Sequence, residues 1–171
     1  MTILINLLRL SCFLVWGLFF ATQAVNGQNV SAQIGNYTST SCQPGDTISI
    51  PVTIISAPGI GVSAISLAIE YDTTKLECLN HITGLNPVLS GPFIGNCGNF
   101  TNLGTSYNLT GKQFRVSWYQ LNPVQLGGLA FNLSFRVLSP GSSSIQWDLQ
   151  TPEVCGFYDE LAEEISQVSY Q

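Results

Sequence analysis

GGLAFNLSFRV, residues 127–137, places an apolar side chain at every second position from Leu129 to Val137. Side chains of a β-strand point alternately to its two faces, so this spacing predicts a strand with one buried and one exposed face. The same alternation occurs in Ile48–Ile54, Ile65–Tyr71, Phe114–Trp118 and Ile145–Leu149. Trp118 and Trp147 fall in the buried register, whereas Tyr119 falls in the exposed one.

Turn residues rich in Gly and Pro separate these stretches, as in Gln43–Asp46 and Ser139–Gly141. Weaker strand candidates are Val30–Ile34, Lys75–His81 and Glu164–Tyr170. The chain is therefore expected to form eight or nine strands, in an all-β fold of two antiparallel sheets packed face to face as a sandwich. Pro51 cannot donate to a strand ladder and predicts an edge strand or a bulge.

Length and charge narrow the class of protein. The 171 residues suffice for one domain, and 45% of them are apolar, which argues against disorder. Only 9% are charged and the net charge is −5, so the few cations cannot neutralise a row of phosphates. We expect neither a nucleic acid nor an anionic membrane surface as the partner.

The N-terminal segment has the order of residues typical of a secretory signal peptide. Arg9 precedes the apolar run Leu10–Phe20, and small and polar residues follow it. This run is shorter than the roughly 20 residues of a membrane-spanning helix. We predict a signal peptide at residues 1–27, a single sandwich domain at 28–171, no membrane insertion after its removal, and a secreted or cell-surface location.

Export would place the cysteines in an oxidising compartment. The four that follow the signal peptide are Cys42, Cys78, Cys97 and Cys155, and four cysteines allow three pairings. We prefer Cys78–Cys97, which would fix the long connection 84–112, and Cys42–Cys155, which would join the two ends. Free buried thiols are the alternative. With one His and no C-x-x-C pair, no metal site is expected.

Catalytic patterns are weak. There is no G-x-S-x-G turn and His81 is the only histidine, so a serine–histidine triad is not expected. The carboxylates of Asp159–Glu164 are adjacent in sequence and indicate a solvated turn, with calcium binding as the alternative. The sequence thus predicts no catalytic residue, no cofactor and no enzyme.

One candidate binding surface follows from the exposed register of three strands. Its members are small, polar and nearly uncharged, which suits the close approach of another protein; an ordinary solvated sheet face is the alternative. They are Ser66, Ala68, Glu70, Ser117, Tyr119, Asn132, Ser134 and Arg136.

Several of these stretches resemble the cohesin domain family. The resemblance covers the strand that follows Pro44-Gly45-Asp46, the strand that ends in Tyr71-Asp72, and the segments Phe114–Tyr119, Leu129–Val137 and Cys155–Ile165. It implies a nine-stranded jelly-roll sandwich that binds a dockerin through a sheet face formed by the matching strands. The expected partner is a dockerin-like or cell-surface protein. A carbohydrate-binding module that holds polysaccharide on the same fold is the alternative.

Overall fold

The computed structural model describes residues 29–37, 42–98, 113–151 and 154–171, so the predicted signal peptide at 1–27 lies outside the described residues. Within the described ranges the chain forms ten strands rather than eight or nine. The strands are β1 (Val30–Ile34), β2 (Thr47–Ser56), β3 (Val62–Tyr71), β4 (Leu76–Thr83), β5 (Phe93–Gly98), β6 (Gln113–Val124), β7 (Gly127–Val137), β8 (Ile145–Trp147), β9 (Gly156–Tyr158) and β10 (Val168–Tyr170).

The strands form the predicted two-sheet sandwich. Sheet 1 has the order β10-β1-β2-β7-β4, and sheet 2 has the order β5-β6-β3-β8, with β9 also paired to β3. All pairs are antiparallel except that of β1 with β10, which is parallel. The antiparallel prediction therefore fails for this one pair, because β10 returns from the far side of the sandwich to the edge of β1.

The apolar register of each sheet forms the core between them. On β2 the residues Ile48, Ile50, Val52 and Ile54 are all buried. Ring contacts join the two layers: Phe93 lies 5.4 Å from Phe131 and Tyr71 lies 5.1 Å from Phe135, measured between ring centroids. Trp118 and Trp147 are buried as predicted.

Two leucines depart from the predicted core register. A bulge between Val52 and Thr53 shifts the pairing of β7, so that Leu129 lies opposite Thr53 on the outside and Ala130 is buried instead. Leu149 is also exposed, because β8 ends at Trp147. Both leucines were predicted to be buried, and both lie where the alternation of buried and exposed side chains is interrupted.

Pro51 is tolerated beside this bulge although β2 is not an edge strand. Its carbonyl accepts a hydrogen bond from the Gly35 N–H at 2.8 Å, just beyond the end of β1. The amide and carbonyl of one strand residue point the same way, so the missing N–H of Pro51 removes no bond from the pairing with β7.

One predicted disulfide is confirmed and the other is wrong. Cys78 on β4 is bonded to Cys97 on β5, with the Cα atoms 6.1 Å apart, and so joins sheet 1 to sheet 2. Cys42 and Cys155 are free thiols. Cys42 is partly buried against the core, whereas the Cys155 thiol is engaged with the backbone of Ala68 on sheet 2.

Candidate functional site

The structure divides the predicted binding surface between the two sheets. Ser66, Ala68, Glu70, Ser117 and Tyr119 lie on β3 and β6 of sheet 2. Asn132, Ser134 and Arg136 lie on β7, which pairs with β2 and β4 in sheet 1. The prediction of one continuous surface is wrong, because exposed residues of the two sheets face opposite sides of a sandwich.

Two of the three residues of β7 contact β4 within sheet 1, and the third is buried. Arg136 forms an ion pair with Glu77 at 2.8 Å, and the Asn132 amide donates to the carbonyl of Thr83 at 3.5 Å. Ser134 is buried, with 7% of its surface exposed. These contacts hold β4 against β7.

On the outer face of sheet 2, the outward-facing residues of neighbouring strands lie opposite one another in four rows. Residues paired across adjacent strands point to the same face, so the registers define rows that run across it. The first row is Glu164, Tyr158, Ala64 and Tyr119; the second is Gly156, Ser66, Ser117 and Ile94; the third is Ala68, Arg115 and Asn96; the fourth is Gln146, Glu70, Gln113 and Gly98.

The first two rows are open on the side of β5 and β6. Tyr119 is 59% exposed and Ile94 is 58% exposed, and Ser117 between them is exposed as well. Sequence reasoning found Tyr119 and Ser117 but missed Ile94. Ile94 lies in the Gly-rich connection 84–112. Phe93 and Ile94 are adjacent apolar residues, so the sequence does not indicate which of the two faces the core.

The middle of the face is covered by the chain between β8 and β9. We call its described residues, 148–151 and 154–155, the cover segment. The Ser66 hydroxyl donates to the carbonyl of Val154 at 3.1 Å, and the Asp148 N–H donates to the carbonyl of Ala68 at 2.9 Å. Ala68 has no exposed surface. The prediction that Ala68 lies open is wrong, because β8 and β9 pair with the same strand and the chain joining them folds over it. Ser66 is half-buried.

A buried carboxylate holds the cover segment in place. Asp148 is 1% exposed and accepts from the Gln113 amide at 2.6 Å and from the N–H groups of Gln150 and Thr151. Burial acts to raise the pKa of Asp148, but the hydrogen bonds from Thr151, Gln113 and Gln150 outweigh it and the pKa lies below its ordinary value. Gln113 in turn accepts from Nε of Arg115 at 3.2 Å.

The thiol of Cys155 completes this attachment. It accepts from the Ala68 N–H at 3.3 Å and lies 3.4 Å from the Asp148 carbonyl. Burial raises the pKa of Cys155 to about 11. The thiol therefore stays protonated, and its contacts with the edge of β3 are structural.

The carboxylate of Asp159 stabilises the acidic turn 159–164 through hydrogen bonds to the backbone of the turn. Asp159 accepts from the N–H groups of Leu161 at 2.8 Å and Glu163 at 3.0 Å.

Over the part of the chain that the structure describes, no three His, Cys, Asp or Glu side chains gather as a metal site would require. His81 lies exposed on β4 of sheet 1. The described residues also include no helix that is long and apolar enough to span a membrane.

Solved structures that match this fold include cohesins. A type I cohesin–dockerin complex of Clostridium thermocellum with the OlpC cohesin matches at TM-score 0.61 and 14% identity, over 85% of this chain and 90% of that one. A second such complex, with the OlpA cohesin, matches at TM-score 0.59 and 18% identity, over 82% and 94%. A non-cellulosomal cohesin of the archaeon Archaeoglobus fulgidus matches at TM-score 0.52 and 19% identity, over 82% and 85%.

The sequence comparisons give the family. No curated protein matches the chain. The family model named Cohesin domain matches residues 30–169, a range that includes every strand from β1 to most of β10. Since this match spans most of the sequence, the chain belongs to the cohesin domain family.

Proposed function

We propose that this cohesin domain binds its protein partner through the outer face of sheet 2. A cohesin domain is a non-catalytic protein-binding module. The observation that carries the choice of face is the pair of exposed apolar side chains, Ile94 and Tyr119, beside the small residues Ala64 and Ser117. Exposed aromatic and apolar side chains such as these are typical of the centre of a protein interface.

Electrostatics also favour this face. Its first two rows contain one carboxylate, that of Glu164, and no cation, so few charges lose their water when a partner binds. The outer face of sheet 1, in contrast, carries the ion pair of Arg136 with Glu77. Desolvating that pair would oppose binding.

The proposed partner is a dockerin-type module outside the cell. The matched OlpA and OlpC structures are complexes between a cohesin and a dockerin, which supports a partner of that kind. Export through the predicted signal peptide at residues 1–27 supports a secreted or cell-surface location. Expression of the full chain in a secreting host, followed by N-terminal sequencing, should find cleavage after Ala24 or Gly27; an uncleaved N-terminus would contradict export by this route.

A capture experiment tests the face. The chain is immobilised, exposed to the secreted proteins of the organism that makes it, and the bound proteins are identified by mass spectrometry. We expect proteins with dockerin modules, and we expect Ile94→Glu to reduce capture by about tenfold or more, as at a buried interface residue. The matched control is Ile55→Glu: Ile55 is 50% exposed but lies on sheet 1, so its capture should remain within about twofold of wild type.

Two results would contradict the proposal. One is an equal loss of capture with Ile55→Glu and Ile94→Glu, which would show that binding does not depend specifically on sheet 2. The other is retention of the chain on insoluble polysaccharide with no protein captured, which would favour a carbohydrate-binding module.

A further inference from the structure

A cleft of about 950 Å³ opens at one end of the sandwich, and we call it the end cleft. It is lined where β1 and β7 end and where β2, β4 and β8 begin. The pairing of Ile145 with Tyr71 places this end of the sandwich at the last residue of β3. The first two rows of the outer face of sheet 2 lie toward the other end of β3, at Ala64 and Ser66. The end cleft is therefore separate from the proposed partner face.

The floor of the end cleft is the apolar core, which reaches the surface here. The core residues in its lining are Ile34, Ile48, Ile50, Leu76 and Val137. Ile34 and Ile48 are the most exposed of the buried core side chains, at 9% and 8%. A concave apolar floor that solvent reaches is typical of a site for a ligand with an apolar part.

The remaining lining is polar and holds one charge. Asn36, Gln43, Ser142 and Ser143 are exposed amides and hydroxyls. Lys75 is the one charged side chain among the described residues that line the end cleft. The lining thus combines an apolar floor with a single cation.

The ammonium of Lys75 is held in position at the end cleft. Its Nζ atom donates to the carbonyl of Pro140 at 3.0 Å. A Cβ atom at Gly141 would lie 3.3 Å from the same Nζ atom, so the missing side chain leaves room for it there. An ammonium has three donors, and Lys75 forms no ion pair within the described residues. Donors therefore stay available for an anion.

The two carboxylates closest to these lining residues in the chain are engaged elsewhere. Asp46 accepts from the Gln43 N–H at 2.8 Å, and Asp72 accepts from the Thr74 N–H at 2.9 Å. The hydrogen bonds from Thr74 lower the pKa of Asp72, and the charge of Lys75 adds a smaller effect in the same direction. Each carboxylate is thus bound within its own turn and forms no ion pair with Lys75.

We propose that the end cleft binds an amphipathic carboxylic acid, with its hydrocarbon chain on the apolar floor and its carboxylate at Lys75. A carboxylate accepts a charge-assisted hydrogen bond from an ammonium, whereas a cationic head group would be repelled by it. One cation suits a head group with one charge. A sugar is disfavoured, because its hydroxyls would lie unpaired against Ile34, Ile48 and Val137. This site is independent of the proposed function.

Alkylation of Cys42 tests occupancy, because Cys42 is a partly exposed thiol in the lining. The protein is treated with iodoacetamide in the presence and absence of decanoate, and mass spectrometry follows each cysteine separately. Saturating decanoate should slow the labelling of Cys42 by about threefold or more, because the ligand covers the thiol. Cys155 is the internal control: its thiol lies against Ala68 on sheet 2, and its rate should not change.

The charge of the head group is tested with decanol, which has the same chain and a neutral end. Decanoate should protect Cys42 at a concentration about threefold or more below that of decanol. In Lys75→Met, which keeps an unbranched apolar side chain, this preference should disappear. The matched control is Arg136→Met, which removes one positive charge from sheet 1 outside the lining and should keep the preference within about twofold. The comparison of the two compounds on wild type stands without either variant.

Three results would overturn the proposal. One is equal protection by decanol and decanoate in wild type, and another is no protection by either compound. The third is protection of Cys42 that follows the protein concentration rather than the decanoate concentration, since a second copy of the chain would then occupy the end cleft. Saturating decanoate should leave partner capture unchanged, and a loss of capture would contradict the separation of the two sites.

Discussion

At the scale of single residues, Asp148 holds the cover segment on the outer face of sheet 2. It is a buried carboxylate whose oxygens accept from a side-chain amide and from two backbone N–H groups. Nothing in the sequence singles it out, since it follows Trp147 in a polar stretch. Its partner Gln113 is distant in the chain, and only the pairing of β3 with both β6 and β8 brings the two together.

Asp148→Asn should lower the free energy of unfolding at neutral pH by about 1–3 kcal/mol, because the charge-assisted hydrogen bonds are lost. The folded-state pKa of Asp148 lies below the ordinary value of 3.8, so its contribution is present above that value and is lost as the pH falls through the folded-state pKa. Denaturant unfolding at a series of pH values should therefore show a steeper loss below about pH 4 in wild type than in Asp148→Asn. Parallel curves would contradict this role.

Cys155 should behave as an inert thiol. With a pKa of about 11, it carries almost no thiolate at mildly alkaline pH, and thiolate is the reactive form. Iodoacetamide should label Cys155 in the folded protein at least about tenfold more slowly than after denaturation.

A non-reducing peptide map should find Cys78 joined to Cys97. A Cys42–Cys155 bridge in that map would contradict the structure.

At the scale of elements, β5 depends on contacts that lie outside its own sequence. It has a glycine at its centre, and a Cβ atom at Gly95 would clash with the Cδ1 atom of Ile82. Close packing against β4 and the disulfide between Cys78 and Cys97 hold it at the edge of sheet 2. The sequence predicted the disulfide but assigned this segment to a long connection, because the segment is short and rich in glycine.

Removal of this disulfide should be costly. The double variant Cys78→Ser, Cys97→Ser opens a loop of 19 residues and should lower the free energy of unfolding by about 3 kcal/mol, measured by urea denaturation. Because β5 carries Ile94, partner capture should weaken as well. Cys42→Ser is the control and should change stability by less than about 1 kcal/mol. Equal stability of wild type and the double variant would refute the role of this bond.

At the scale of the whole molecule, one core joins the two sheets, and Tyr170 closes the side where β10 meets sheet 2. Its ring centroid lies 5.7 Å from that of Trp147 and 6.3 Å from that of Phe157. Burial raises the pKa of Tyr170. The last strand is thereby packed against both sheets, which explains why a three-residue strand is stable there.

Unfolding should accordingly be a single transition. In a chain that begins at Gln28, the tryptophan residues are Trp118 and Trp147, both buried, so tryptophan fluorescence reports core packing and far-ultraviolet circular dichroism reports the sheets. The two signals should share one midpoint in urea, as expected for a two-state domain. Separate midpoints would show that the sheets unfold independently.

The sequence alone determined the strands with a strict apolar period, the sandwich class and the exposure of Tyr119. It did so because alternation along a strand is a local property, set by where successive side chains point. Only the tertiary structure decided that β7 belongs to sheet 1, that the cover segment hides Ala68, and that Tyr158, Ala64 and Tyr119 form one row. Strand pairing joins residues far apart in the chain, and a period of two is the same whichever sheet a strand joins.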